Sequence, residues 1–138
     1  MASGFDAYPT TYPASGFHEQ APEDWWRATV LATRRLTEHL APEQVKAIRA
    51  LGISGHSLGV VPLDAVGNLL RPTVPIWSDA RAGAEAEVFF REVPEEAWYM
   101  KTGNGFPPAL YSVFKLMWVR AHEPDWFGRA ATILGTKE

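Results

Sequence analysis

Between Gly55 and Gly67 the chain sets helix-breaking residues among strand-forming ones, and this limits every fold open to it. Gly55, Gly59, Pro62 and Gly67 fall in one short stretch; in a helix interior each glycine costs about 1 kcal/mol and the proline about 3 kcal/mol. Val60 and Val61 on one side of a Gly67-Asn68 turn, with Leu69 and Leu70 on the other, favour a pleated surface. The stretch from 59 to 71 therefore predicts a hairpin of two short strands, and any helices must lie on either side of it.

Upstream, residues 1–22 carry Pro9, Pro13 and Pro22 and read as an extended arm with at most one strand. Pro22-Glu23-Asp24 then opens an apolar-periodic stretch to Leu40 with Arg34 and Arg35 late in it. Acid first and base last suits the helix dipole. Trp25, Trp26, Thr29, Val30, Thr33 and Leu36 recur every three or four residues, which predicts one buried face. Beyond Ala41-Pro42, the second half of Val45–Ser54 predicts a buried strand running into the glycine turn. Downstream, Val74–Ser78 predicts a strand closed by Asp79, whose carboxylate suits the N-cap of a helix over 80–93. Further helices are predicted from Pro94 to Lys101, from Pro108 to about Ala121 and from Pro124 to Arg129, then a strand at 131–134. Strands alternating with helices indicate an α/β or mixed α+β domain.

At 138 residues the chain is long enough for one domain. Thirteen basic against 16 acidic residues give a net charge of −3, and no basic run exceeds Arg34-Arg35, which argues against a nucleic-acid partner. The absence of cysteine excludes disulfides, thiolate metal sites and a cysteine nucleophile, and fits a reducing compartment. No signal-like start and no apolar run of membrane-spanning length is present, so a cytoplasmic protein without a membrane partner is expected. His18, His39 and His122 lack metal-ligand spacing, and no metal site is expected.

Residues 55–59, Gly-His-Ser-Leu-Gly, match the G-x-S-x-G nucleophile elbow of α/β-hydrolases. Asp79 and His122 follow in the order a triad needs, which keeps a serine hydrolase as an alternative. An elbow demands a helix after the serine, however, and hairpin sequence follows Ser57. The plainer reading is a tight turn at a strand end, with His56 and Ser57 satisfying nearby backbone groups. A non-catalytic α/β binding module is the remaining alternative.

Several segments, taken in order, resemble the N-terminal domain of the FGGY carbohydrate kinases. His18-Glu19-Gln20-Ala21-Pro22-Glu23-Asp24-Trp25-Trp26 resembles the family's E-Q-x-P-E-D-W-W, and Leu51-Gly52-Ile53-Ser54-Gly55 its G-I-S-G. Leu69-Leu70-Arg71-Pro72 with Pro75-Ile76-Trp77-Ser78-Asp79-Ala80-Arg81 resembles L-R-P-x-I-x-W-x-D-x-R. Thr102-Gly103-Asn104, Lys115-Leu116-Met117-Trp118 and His122-Glu123-Pro124 resemble T-G-N, K-L-L-W and H-E-P, and Ile133–Lys137 resembles the strand before the family's K-D-Y segment. The matches run from about residue 8 to residue 138 in the family's order and spacing.

The resemblance implies an α/β, ribonuclease-H-like (actin/hexokinase-like ATPase) N-terminal domain with an incomplete central sheet over residues 1–138, truncated at both ends. It implies transfer of the γ-phosphoryl group of ATP, with Mg2+, to a sugar or polyol, and allows a homodimer of the complete enzyme. The family's D-x-G-T turn, general base and ATP-binding domain match nothing in this sequence, so no catalytic residue is assigned, no cofactor is expected on the chain by itself, and it is expected to be inactive alone. An unpaired sheet edge and a poorly anchored arm at 1–13 follow as expectations. By position the resemblance assigns substrate contact to His56, Ser57 and Leu58, where the family has Gln-Met-His or Gln-Arg-Glu, and further to Trp77, Asp79, Arg81 and Tyr111. Lys115, among apolar neighbours, is expected to make a structural pair.

Overall fold

Proline at the start of a helix loses no hydrogen bond, because the first turn has no acceptor for its N–H, and prolines open α1 (Pro22–Glu38), α2 (Pro42–Lys46) and a later helix, α6 (Pro124–Arg129). The computed structural model describes residues 2–138. Ahead of α1 lies β1 (Glu19–Gln20); after α2 come β2 (Val61–Leu63), β3 (Val74–Pro75), α3 (Gly83–Glu92), α4 (Glu95–Thr102), a 3-10 turn at Pro108–Leu110, α5 (Ser112–His122), α6 (Pro124–Arg129) and β4 (Thr132–Leu134). The sheet is divided into two antiparallel ladders. β1 pairs with β3, Glu19 opposite Pro75, and β2 with β4, Val61 opposite Leu134. The Val60 N–H donates to the Pro75 carbonyl at 3.2 Å and holds the two ladders side by side.

The expected hairpin is present. Leu63 bridges Leu69 antiparallel across a turn in which Gly67 has φ 88°, a conformation glycine adopts without a Cβ clash. The Asp64 carboxylate accepts from the Val66 and Asn68 N–H groups at 2.9 Å, which closes the tip.

α5 organises the core. On one side Ala82, Ala86, Tyr111 and Phe114 pack with Phe89, Phe90 and Trp98; on the other Val60, Val119 and Trp126 pack with Leu70 and Leu116, and Trp118 touches both groups. Ring pairs such as Phe89–Trp98, 5.5 Å apart and near perpendicular, give the first group the edge-to-face geometry that aromatic quadrupoles prefer.

A charged network is sealed beside this core. The Arg81 guanidinium donates to Asp79 through Nε and Nη2, each at 2.9 Å, and to Glu19 Oε1 at 2.5 Å, and lies 4.1 Å over the Phe17 ring. The second oxygen of Glu19 accepts from Thr73 at 2.5 Å, and Arg71 links Glu19 to Glu123 at 3.1 and 2.9 Å. Burial works to raise the Glu19 pKa, but hydrogen bonds from Thr73 and Arg81 and the charges of Arg71 and Arg81 outweigh it and hold the carboxyl below its ordinary value.

Four expectations need correction. The α1 face carrying Trp25, Trp26, Thr29, Val30 and Thr33 is not buried: Trp26 is 69% exposed, Ala28 is the buried residue, and the face lines an open groove of about 740 Å³ with Leu51 and Ile53. Periodicity specifies an apolar stripe, but no described element packs over it. Residues 51–54 form no strand, since they find no ladder partner among the described residues, and Leu51 and Ile53 stand exposed. Asp79 does not cap α3, whose N-cap position is Ala82, because Arg81 and the His18 N–H take its oxygens. The arm is anchored: Asp6 pairs with Arg35 at 2.9 Å, Gln20 donates to Thr10 at 2.8 Å and Thr11 bridges Glu19; Met1 lies outside the described residues.

Removing one member of a sealed ion network leaves a buried uncompensated charge, so Arg81→Ala is expected to destabilise the protein by about 3–5 kcal/mol in urea unfolding. Because the folded pKa of Glu19 is lowered, its contribution is complete above the ordinary glutamate value and is lost as pH falls through the lowered one. Stability should therefore fall below about pH 4.3, and less steeply in Glu19→Gln.

Candidate functional site

The turn Gly55–Gly59 precedes β2, and its small residues let the C-terminal segment pack on it. A Cβ on Gly59 would stand 2.3 Å from the Thr136 methyl, and one on Gly55 would stand 3.1 Å from Lys137 Cβ. Thr136 hydroxyl donates to the His56 carbonyl. Leu58 has φ 61°, a left-handed conformation that costs a non-glycine residue about 1–2 kcal/mol. Its side chain packs against the α3–α5 aromatic group, which offsets that strain.

One lysine holds the strained turn. Lys115, fully buried in α5, donates from Nζ to the Leu58 carbonyl at 2.9 Å and to the Ile76 carbonyl at 2.7 Å. One turn earlier in α5, Ser112 Oγ donates to the Gly59 carbonyl at 3.2 Å. Ile76 precedes Trp77, so the ammonium ties the His56–Leu58 turn to the segment carrying that indole. The expected structural pair is therefore with two carbonyls, not with a carboxylate. Desolvation pushes the Lys115 pKa down to about 8; the Asp79 charge opposes this and the Arg81 charge adds to it.

His56, Ser57 and Leu58 share one cavity of about 300 Å³ with Ser112 and residues 133–138. His56 Nδ1 is buried without a hydrogen-bond partner, and the ring meets Trp25 edge-on at 5.5 Å. Burial lowers the His56 pKa and the Lys115 charge adds to this, while the Ser57 backbone works the other way. A neutral imidazole follows at neutral pH, able to donate from one nitrogen and accept at the other. Trp77 is half exposed and is not among the residues lining that cavity.

The remaining expected contacts lie elsewhere. Asp79 and Arg81 are sealed in the ion network and line none of the cavities described here. Tyr111 is 4% exposed, its hydroxyl accepts from the Phe106 N–H at 2.7 Å, and it lines a separate cavity with Phe90, Trp98 and Phe106. The nucleophile-elbow alternative fails on geometry: no helix follows Ser57, and among the described residues no histidine is hydrogen-bonded to its hydroxyl. His122 is stacked on Trp118 and bonded to its carbonyl, and Asp79 is committed to Arg81, so no triad assembles. Among the described residues, no group of three or more histidines and carboxylates is placed to hold a metal ion.

Residues 1–138 match the family described as FGGY family of carbohydrate kinases, N-terminal domain. The chain is 37% identical over its whole length to the xylulose kinase of Escherichia coli, covering 27% of that protein, and 31% identical to that of Klebsiella pneumoniae, again covering 27%. The chain thus spans about a quarter of the length of the curated relatives it matches. Among solved structures, xylulose kinase from Rhodospirillum rubrum superposes with a TM-score of 0.79 at 33% identity, over 94% of this chain and 26% of that one. These likenesses bear out the expected α/β, actin/hexokinase-like class, with its incomplete sheet.

Lys115 is expected to titrate at about pH 8, well below an ordinary lysine, followed by the 13C chemical shift of its ε-carbon. A midpoint above pH 10, the ordinary lysine range, would contradict its desolvated placement.

Proposed function

From the premise that this chain belongs to the FGGY family of carbohydrate kinases, we propose that the protein of which it is part transfers the γ-phosphoryl group of ATP to a hydroxyl of a sugar or polyol, with xylulose as the first candidate. The single observation that carries the reading is the family match over the whole of residues 1–138. The xylulose kinases among the relatives support the choice of sugar.

In this reading the chain supplies part of the sugar site. His56 and Ser57 offer hydrogen bonds to hydroxyls from their cavity, and Trp77, half exposed and outside that lining, offers its indole to the carbon chain. Leu58 contributes through its backbone, since its carbonyl is held by Lys115. Asp79 and Arg81 serve as the frame behind the site, and Tyr111 as core, not as sugar contacts.

Phosphoryl transfer depends on positioning the nucleotide, metal and acceptor together. The described residues do not fit the ATP and Mg2+ that the reaction needs: Glu19 and Asp79, the buried carboxylates, are engaged by arginines. The general base and nucleotide site belong, in this reading, to the remaining three quarters of the protein, and residues 1–138 form one N-terminal domain unit that is inactive by itself. A cytoplasmic protein, and a homodimer of the whole enzyme, are compatible with this reading; no described helix is long and apolar enough to cross a membrane.

The full-length protein is expected to convert ATP to ADP only when an acceptor is supplied, and faster with xylulose than with other pentuloses, tetritols or glycerol, in a coupled ADP assay. No turnover across that panel would overturn the kinase reading; preference for glycerol would overturn the choice of sugar.

A further inference from the structure

We propose that the first turn of α5 is a positioning clamp for sugar specificity, in which Lys115 and Ser112 fix the turn bearing His56 and Ser57 relative to the indole of Trp77. The inference rests on the kinase reading above and concerns how the sugar site is held in shape.

Three carbonyls converge on two side chains of one helix. Lys115 Nζ joins Leu58 and Ile76 at 2.9 and 2.7 Å, and Ser112 Oγ reaches Gly59 at 3.2 Å. Lys115 and Ser112 are three residues apart in α5, so they share one helix face. Neither Leu58 nor Ile76 is held in a regular ladder: Leu58 has a left-handed backbone, and the β1–β3 ladder ends at Pro75. The Ile76 N–H does donate to His18 at 3.1 Å, and Val60 N–H to Pro75 at 3.2 Å, so the two segments run side by side up to the point where the ladders stop. Past that point the ammonium is their shared fastening.

Lysine suits this task. Its three donors fan out from a single nitrogen and can serve two carbonyls that approach from different segments. A carboxylate partner would hold only the lysine; two backbone carbonyls make the lysine a cross-link. Asp79 and Arg81 lie near enough for their charges to act on it, but neither accepts from Nζ. Lys115 and Ser112 are thus positioning residues, acting on the sugar through His56, Ser57 and Trp77. In the kinase reading a sugar that touches both the turn and the indole senses their separation, since a binding constellation works only when held within about 0.5 Å of its productive geometry.

The test uses the full-length protein and measures KM for xylulose, KM for ATP and kcat, together with the equilibrium Kd for xylulose by calorimetry without ATP. Lys115→Met keeps the length and apolar stem but removes the donors. It should raise both the KM and the Kd for xylulose about tenfold or more, with the ATP KM unchanged. Ser112→Ala, a milder change at a partly exposed position, should raise the same two constants about two- to fivefold, again with the ATP KM unchanged. Should Lys115→Met not fold, Ser112→Ala decides alone.

If wild-type protein turns over xylulose and both folded variants keep its KM and Kd within about 1.5-fold, the clamp is wrong and the kinase reading stands. An equal rise in the KM for ATP and xylulose would mark a general structural role and also overturn the clamp. If the wild-type protein phosphorylates no sugar, the kinase reading fails and the clamp fails with it.

Discussion

Arg81 carries a full charge into an interior from which water is excluded, and the surrounding structure is arranged around that fact. Its side chain is 1% exposed, and its neutralisation needs Asp79 from its own segment and Glu19 from the N-terminal strand, 62 positions away. The ion network is costly to break because the partner charges would be left without water or counter-charge. It fixes β1 against the 79–81 segment, and through Arg71 and Glu123 it reaches α6. Phe17 and Trp118 cover the guanidinium face, so the aromatic core and the charge network are one unit.

Around this frame the molecule divides its polar groups by purpose. Asp79, Arg81, Glu19 and Lys115 are buried and have internal partners, Nη1 of Arg81 apart, and they hold segments together. His56, with an unpartnered ring nitrogen, Ser57 and Trp77 have capacity left for a ligand. The same stretch of sequence supplies both sorts: Trp77, Asp79 and Arg81 are near neighbours in the chain, yet one faces outward and two are sealed. Strand and turn geometry, not proximity in sequence, makes the division.

Much of the fold was legible because its causes are local. Prolines at helix starts, acid-to-base order along α1 and the Gly67 turn each act within a few residues, and each is found where expected. What could not be read depends on contacts far apart in the chain. Asp79 is chemically suited to cap a helix and to pair with arginine; Arg81 is its near neighbour, but the His18 N–H that also bonds its carboxylate comes from 61 positions away. The α1 stripe and Ile53 were apolar enough to predict burial, but burial needs a covering partner, which no periodicity can supply.

The candidate site was legible chiefly through the order of its motifs. Gly-His-Ser-Leu-Gly alone suggested a nucleophile that the hairpin sequence after it already opposed, and the structure agrees with the hairpin. Lys115 stands out in the sequence only as a charge among apolar helix positions; the two carbonyls it joins lie 57 and 39 positions away and meet it only through the fold. A crystal structure of the full-length protein with xylulose bound tests the division between frame and site most directly. Sugar hydroxyls should lie within hydrogen-bond distance of His56 or Ser57, with the carbon chain against the Trp77 ring, while Arg81 stays paired with Asp79 and Glu19. Sugar oxygens bonded to Asp79 or Arg81, or a sugar lodged beside Tyr111, would contradict it.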